Sequence, residues 1–375
     1  ISTDYSGAIR GWDSLTKRKK LDIPATRAYI GQAHYGVNGR SILTRSDTSV
    51  QLWDRSYGLC FYTWETYSFL PEKLTIAPKG NQFVIQDLEG ELYLFQAIPN
   101  STPIPLTPPP SNPLLGIGFS LDGRYIYGFS KKERFTWDVE NRSFAQYAFP
   151  EEASRFKAYF QNRSGIHFLQ TEEGIHILDA AFQPQKFLSV KTDIFSSRYE
   201  QIDTNPEIDQ MLLVSWGMNE KGDFELRNIN SSEDAGVFKA HSSSAFSATF
   251  NHTGTKILSG SGDKTAILWD VATQQPLFTL KGHSHTVNDV AFHPTEDELM
   301  TAGDSRIMLW NEQDGTRTQT MEFVPGLWVQ GWDFRGTQHD FSEEDINLLR
   351  MHGAIFNEAD AERWQSLVEQ YHPEN

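Results

Sequence analysis

HSSSAFSATFNHTGTKILSGSGDKTAILWDVATQQPLFTLKG, residues 241–282, and HSHTVNDVAFHPTEDELMTAGDSRIMLWN, residues 283–311, state one pattern twice. Each copy opens on a histidine, His241 or His283, and runs into an alternating apolar stretch, Ala248/Phe250 or Val290/Phe292. A turn follows, then a second run with Ser259 or Thr301, an aspartate (Asp263 or Asp304), and a strand ending on Trp269-Asp270 or Trp310-Asn311. In both copies the aspartate stands six residues before the tryptophan. Alternation with period two marks half-buried strands, and the Gly, Asn and Asp between the runs supply turns. A unit of about 40 residues built in this way needs neighbours to bury its faces, so it implies an array.

Outward from this pair the theme loosens. Residues 33–64 keep Thr44, Asp47 and Trp53-Asp54 at the same spacing, but no Gly-His precedes them. Lys73 to Phe95 puts phenylalanine in the tryptophan place, and Leu115 to Trp137-Asp138 restores the ending after an Asp122-Gly123 turn. Ala158 to Asp179 and Gln210 to Arg227 are fainter copies. At the start, Ile1-Ser2-Thr3 and Ala8 to Trp12-Asp13 form the back half of a unit without its first strand. That reads as a piece of a longer protein, or as a ring whose missing strand comes from elsewhere. Pro99 to Pro113 is an extended connection, because proline cannot donate to a sheet ladder.

Units of this length with Gly-His and Trp-Asp marks resemble WD40 repeats. The resemblance implies an all-β propeller of four-stranded blades. Eight units are counted, with seven as the alternative if 151–235 holds one unit rather than two. It also implies a hydrogen-bond network within a blade: His241, Ser259, Asp263 and Trp269 in one, His283, Thr301, Asp304 and Trp310 in the next. Thr44, Asp47 and Trp53 would form an incomplete version. His, Ser and Asp also suggest a hydrolytic triad, but the set recurs in successive units and includes a tryptophan, which donates a hydrogen bond and attacks nothing.

Behind the last unit, residues 327–337 alternate and end on Gly336-Thr337, the shape of a first strand and its turn. They are expected to complete the first unit and close the ring, since closure hides strand edges. The propeller then spans 1–341. Residues 342–375 change character: Ser342 caps an acidic first turn, Gly353 ends that helix, and Asn357 caps a second. Ala361, Trp364, Leu367, Val368 and Tyr371 give the second helix an apolar stripe. The tail WVQGWDFRGTQHDFSEEDINLLRMHGAIF, residues 328–356, is similar to the ends of WD40 regions in large bacterial multidomain proteins such as signal-transduction ATPases with numerous domains.

Composition sets outer limits. The chain of 375 residues carries a net charge of −16, which argues against a nucleic-acid backbone as main partner, because phosphate binding needs clustered Lys and Arg. Lys17 to Lys20 is the one dense basic run and reads as a solvated strand end. A single cysteine, Cys60, excludes an internal disulfide and a Cys-based zinc site. His283, His285 and His293 lack an acidic or Cys partner at metal-ligand spacing. No apolar run of about 18 residues suggests a membrane span. The sequons at Asn100, Asn141, Asn162, Asn230 and Asn251 are read as incidental, and a cytoplasmic location is expected.

The fold alone licenses an interaction platform. The expectation is a non-catalytic propeller without cofactor or metal that takes a protein or peptide on its top face. Its narrower form is the C-terminal ligand sensor of a bacterial signalling or defence protein with upstream domains. A free-standing scaffold subunit is the alternative, and a propeller enzyme the last choice.

Overall fold

The apolar runs between turns are short strands in the computed structural model. Within 30–371 it describes all residues except 37–38, 47–48, 66–70, 88, 98–100, 108–113, 149–157, 162–165, 172–173, 180, 183, 190–198, 206–209, 216–221, 229–233, 323–332 and 336–342. Of the first 29 residues it describes Ser2–Thr3 (β1), Ile9–Trp12 (β2) and Lys19–Ile23 (β3), which form a three-stranded sheet.

Seven four-stranded sheets follow in chain order, each an antiparallel meander. The first holds β4 (Ile30–Tyr35), β5 (Ser41–Ser46), β6 (Ser49–Asp54) and β7 (Leu59–Glu65); the second β8 (Pro71–Ile76), β9 (Gln82–Asp87), β10 (Leu92–Gln96) and β11 (Ile104–Pro105). The third holds β12 (Gly116–Phe119), β13 (Tyr125–Phe129), β14 (Glu133–Asp138) and β15 (Ser143–Ala148); the fourth β16 (Ala158–Gln161), β17 (His167–Gln170), β18 (Gly174–Leu178) and β19 (Pro184–Ser189). The fifth holds β20 (Tyr199–Thr204), β21 (Gln210–Ser215), β22 (Gly222–Asn228) and β23 (Asp234–His241). The sixth holds β24 (Ala245–Phe250), β25 (Lys256–Ser261), β26 (Thr265–Asp270) and β27 (Pro276–Lys281); the seventh β28 (Val287–Phe292), β29 (Glu298–Gly303), β30 (Arg306–Asn311) and β31 (Arg317–Glu322). The turn between first and second strands needs a left-handed residue, and Gly123 (φ 77°) and Gly254 (φ 66°) provide it without steric cost.

The first strand of each sheet packs on the first strand of the next: β8 on β12, β12 on β16, β16 on β20, β20 on β24 and β24 on β28. β28 packs in turn on β4, and β5 meets β8, so the sheets run round a circle. Both faces of each sheet are therefore covered. This explains why β6 is buried at every position although its sequence alternates only weakly, while outer β27 is mostly exposed. The core is divided accordingly. Ile30, Ala33, Trp53 and Cys60 of the first sheet pack on Met300, Ala302, Leu309 and Met321 of the seventh. Leu258 and Leu268 pack on Val290 and Trp310 at the sixth junction.

Two expectations are corrected. The eight-bladed ring closed by 327–337 does not occur, because the seventh sheet meets β4 and the circle closes without β1–β3. Of the supposed closing strand, Asp333 bridges Ile355 in parallel and Phe334 N donates to Ile355 O at 2.6 Å; the remainder, apart from Arg335, lies outside the described residues. The alternative count rested on one unit in 151–235, and that region holds parts of two sheets, β16–β19 and β20–β23.

The extension forms α1 (Glu343–Met351) and α2 (Glu358–Tyr371). Gly353 (φ 83°) ends α1, with Ala354 N bonded back to Leu349 O at 3.0 Å. Asn357 Oδ1 caps α2 by accepting Asp360 N at 2.9 Å. Leu367 is buried among side chains of the first two sheets, with Trp364 beside it. Among the described residues no helix is long and apolar enough to cross a membrane.

Candidate functional site

The polar residues singled out by the repeat converge inside the sixth and seventh sheets. An indole N–H only donates, so Trp269 Nε1, 2.8 Å from Ser259 Oγ, makes that oxygen an acceptor. The serine proton is then available to His241 Nε2 at 2.8 Å, and His241 Nδ1–H donates to Asp263 Oδ2 at 3.0 Å. The next sheet repeats the relay: Trp310 Nε1 to Thr301 Oγ1 (3.0 Å), Thr301 to His283 Nε2 (2.8 Å), and His283 Nδ1 to Asp304 Oδ1 (3.2 Å). The indole thus fixes the tautomer of a histidine it never touches by a hydrogen bond.

Electrostatics follow from burial. Desolvation pushes the pKa of His241 below its ordinary value against the opposing pull of Asp263. Burial alone would raise Asp304, but hydrogen bonds from His283 and from the Ser284 backbone and hydroxyl outweigh it and bring the carboxyl to about 2. Although Ser259, His241 and Asp263 have the distances of a catalytic triad, Ser259 and Thr301 have no exposed surface. Their oxygens already accept from tryptophan. These groups tie each sheet to the chain entering it, His241 from the end of β23 in the fifth sheet and His283 from the loop after β27, since a buried donor without a partner is costly.

In the first sheet Trp53 Nε1 donates to Thr44 Oγ1 at 3.0 Å, and Asp47 lies outside the described residues. The sequence reading missed that Gln51 does the histidine's work. Thr44 Oγ1 donates to Gln51 Oε1 at 2.6 Å, and Gln51 Nε2 donates to Ser49 Oγ at 2.6 Å and Ser46 Oγ at 3.3 Å. One signal was present: a glutamine between the apolar Val50 and Leu52. In the third sheet the tryptophan survives without its partner. Gly128 holds the place relative to Trp137 that Thr301 holds relative to Trp310, and Trp137 Nε1 is buried with no hydrogen bond.

Also missed were two carboxylates on first strands that stitch neighbouring sheets. Asp289 accepts Ser247 Oγ of the sixth sheet and Ala33 N of the first, both at 2.9 Å. Asp203 of the fifth sheet accepts Thr249 Oγ1 at 2.8 Å and Phe250 N at 3.0 Å from the sixth.

The far ends of the first strands, away from the His–Asp pairs, surround a half-open cavity of about 440 Å³. Tyr35, Ile76, Phe119 and Phe292 line it, with the Gln161 amide on one side and Leu121, half exposed, at its rim. Among the described residues no Asp, Glu, Lys or Arg contributes to the wall. Among the described residues no group of three or more His, Cys, Asp or Glu is placed to hold a metal ion.

Comparison with known proteins agrees with this geometry. The family model described as "WD domain, G-beta repeat" matches residues 232–270 and 274–311, the strands that carry the two relays. Protein tipD of Dictyostelium discoideum is 30% identical over 103 residues, 27% of this chain and 17% of that protein. THO complex subunit 3 of Arabidopsis thaliana is 31% identical over 91 residues, 23% of this chain and 29% of that protein. Pre-mRNA-processing factor 19 of Homo sapiens is 37% identical over 67 residues, 18% and 13% respectively. The aligned part spans less than a third of each of these relatives.

Proposed function

From the premise that this chain is a WD40-repeat β-propeller, we propose that it is a non-catalytic scaffold that holds an uncharged segment of a partner protein. The observation that carries this is the cavity at the end of the first strands, which has no Asp, Glu, Lys or Arg among its described lining residues and is rimmed by the half-exposed Leu121. In a chain of net charge −16, a concavity of mixed polar and apolar lining with no acid among its described residues suits an uncharged side chain better than an ion. Two of the relatives are named for a complex or a processing step, a THO complex subunit and a pre-mRNA-processing factor, which supports assembly work in general. A non-catalytic role is supported by the buried, fully engaged hydroxyls of Ser259 and Thr301.

The top-face loops expected to bind stay the competing surface, and two variants separate them. Partners cross-linked to the wild-type chain in its own cells should be lost with Leu121→Asp and kept with His285→Asp, at the exposed loop between the sixth and seventh sheets. The reverse pattern sinks the cavity assignment, and no reproducible partner sinks the scaffold. The narrower sensor role rests on residues 328–356 alone, and an ATPase domain encoded upstream of Ile1 would favour it. Our proposal also keeps the boundary between 341 and 342 and the cytoplasmic location. The buried Cys60 supports a reducing setting, and cell fractionation tests it.

A further inference from the structure

At six junctions the chain itself joins neighbouring sheets, because the last strand of one runs on to the first of the next, from β7 to β8 through β27 to β28. The junction between the seventh and first sheets is different. Among the described residues each sheet there is built from its own four consecutive strands, and no strand is shared across it. What holds it is non-covalent. Ile30 N donates to Asp304 O at 2.7 Å and Asn288 Nδ2 to Ile30 O at 2.8 Å. Tyr35 OH donates to Glu298 Oε1 at 3.0 Å, Arg55 pairs with Glu296 and Glu298, and His293 Nε2–H donates to Gly39 O at 3.3 Å. Opening this seam breaks no chain connection within the circle.

The extension lies across it. After β31 the chain enters α1, which touches both β31 and β7. His352, behind α1, is buried and donates Nε2–H to the carbonyl of Glu322, the last residue of β31, at 3.0 Å. Its ring meets Trp53 of the first sheet edge-on, 6.1 Å between centroids. Beyond the Gly353 turn, α2 sets Leu367, 2% exposed, among Leu59 and Trp64 of the first sheet and Leu74 and Phe83 of the second. Arg363 covers the Tyr57 ring at 5.1 Å. The chain leaving the last sheet is thus anchored on the first two.

We propose that the C-terminal helix pair is the fastener of the circle: it supplies the chain continuity across the seam that the strands do not, and its release opens the seam before any other junction. A tether turns re-closing of two separated faces into an intramolecular event at high effective concentration. The strands and turns at the seam then reclose faster than they drift apart.

Hydrogen exchange by mass spectrometry on the full chain tests this with Leu367→Asp, which puts a charge into the buried anchor of α2. Exchange should rise at least tenfold in β28 and in the Pro294–Glu298 turn, across the seam from the Leu367 anchor, as well as in β4. Exchange in β13 and β25 should stay as in the wild type. If β4 to β11 loosen while β28 is unchanged, the helix merely supports the sheets it covers and the fastener is wrong. A uniform rise in all sheets overturns it equally. Ser366→Asp, at an exposed position of α2, is the control and should leave the pattern unchanged. Ending the chain at Glu322 should reproduce the Leu367→Asp pattern in stronger form, and the point variant decides the matter if the shortened chain does not fold.

Discussion

Replacing Trp269 and Trp137 by phenylalanine should have opposite consequences, although both tryptophans end the third strand of their sheet and both are almost wholly buried. Each substitution removes the same pyrrole edge, and a loss of that size from a packed core costs about 1 kcal/mol. Trp269→Phe also removes the 2.8 Å bond to Ser259 Oγ, a net loss of about 1–1.5 kcal/mol, and frees the serine proton to turn away from His241. The expected cost is roughly 2–3 kcal/mol. Trp137 Nε1 has no hydrogen bond, so Trp137→Phe relieves a desolvated donor worth about 1–3 kcal/mol and should come out near zero or slightly stabilising. At about 1.3 °C per kcal/mol for a chain of 375 residues, melting temperatures of the two variants should differ by about 3 °C. Hydrogen exchange localised to each sheet gives the same comparison without assuming two-state unfolding. Equal destabilisation by the two substitutions would refute the claim that the relay, rather than ring volume, makes Trp269 matter.

Three further outcomes follow from named contacts. Asp304 sits below its ordinary value of 3.8, at about 2, so its contribution is present above pH 3.8 and disappears as pH falls through about 2; a stability titration should lose roughly 2 kcal/mol there, and Asp304→Asn should lack that step. His241 is depressed from 6.5, so its contribution is full above about that pH and declines below it, in a window that His241→Gln should abolish. Gly39→Ala places a methyl 1.8 Å from His293 Nε2 at a φ of +63°, and should destabilise the seam by about 2 kcal/mol or more in thermal unfolding, with no effect on the sixth-sheet relay.

Strand boundaries were legible wherever turn chemistry was plain. Asp122-Gly123 and Thr253-Gly254 announced hairpins that the structure places at those residues, and even the faint units at Ala158 and Gln210 became sheets. Closure was not legible. The alternation of 327–337 and the incomplete start of the chain suggested a shared strand, but pairing partners far apart in sequence depend on surface complementarity that no local pattern displays. The contacts that close the circle come from residues unremarkable in sequence: Ile30, Asn288, and the acids Glu296 and Glu298. The relay residues stood out because a single geometry recurs at fixed offsets. Gln51 did not, since it reaches the same end through a different side chain, and Asp203 and Asp289 did not because their partners lie on other sheets.

A core divided among junctions has a consequence for how damage spreads. Each sheet packs mainly on the two beside it, so stability approximates a sum of local terms. A sheet that loses its relay, as the third has with Gly128 and Trp137, weakens itself and its two interfaces while Ser259 and Thr301 stay satisfied several sheets away. The molecule is fault-tolerant in this sense. Faint repeats can sit beside crisp ones in one closed circle, and the seam, where two of those local terms meet without one strand running on to the next, is where tolerance runs out first.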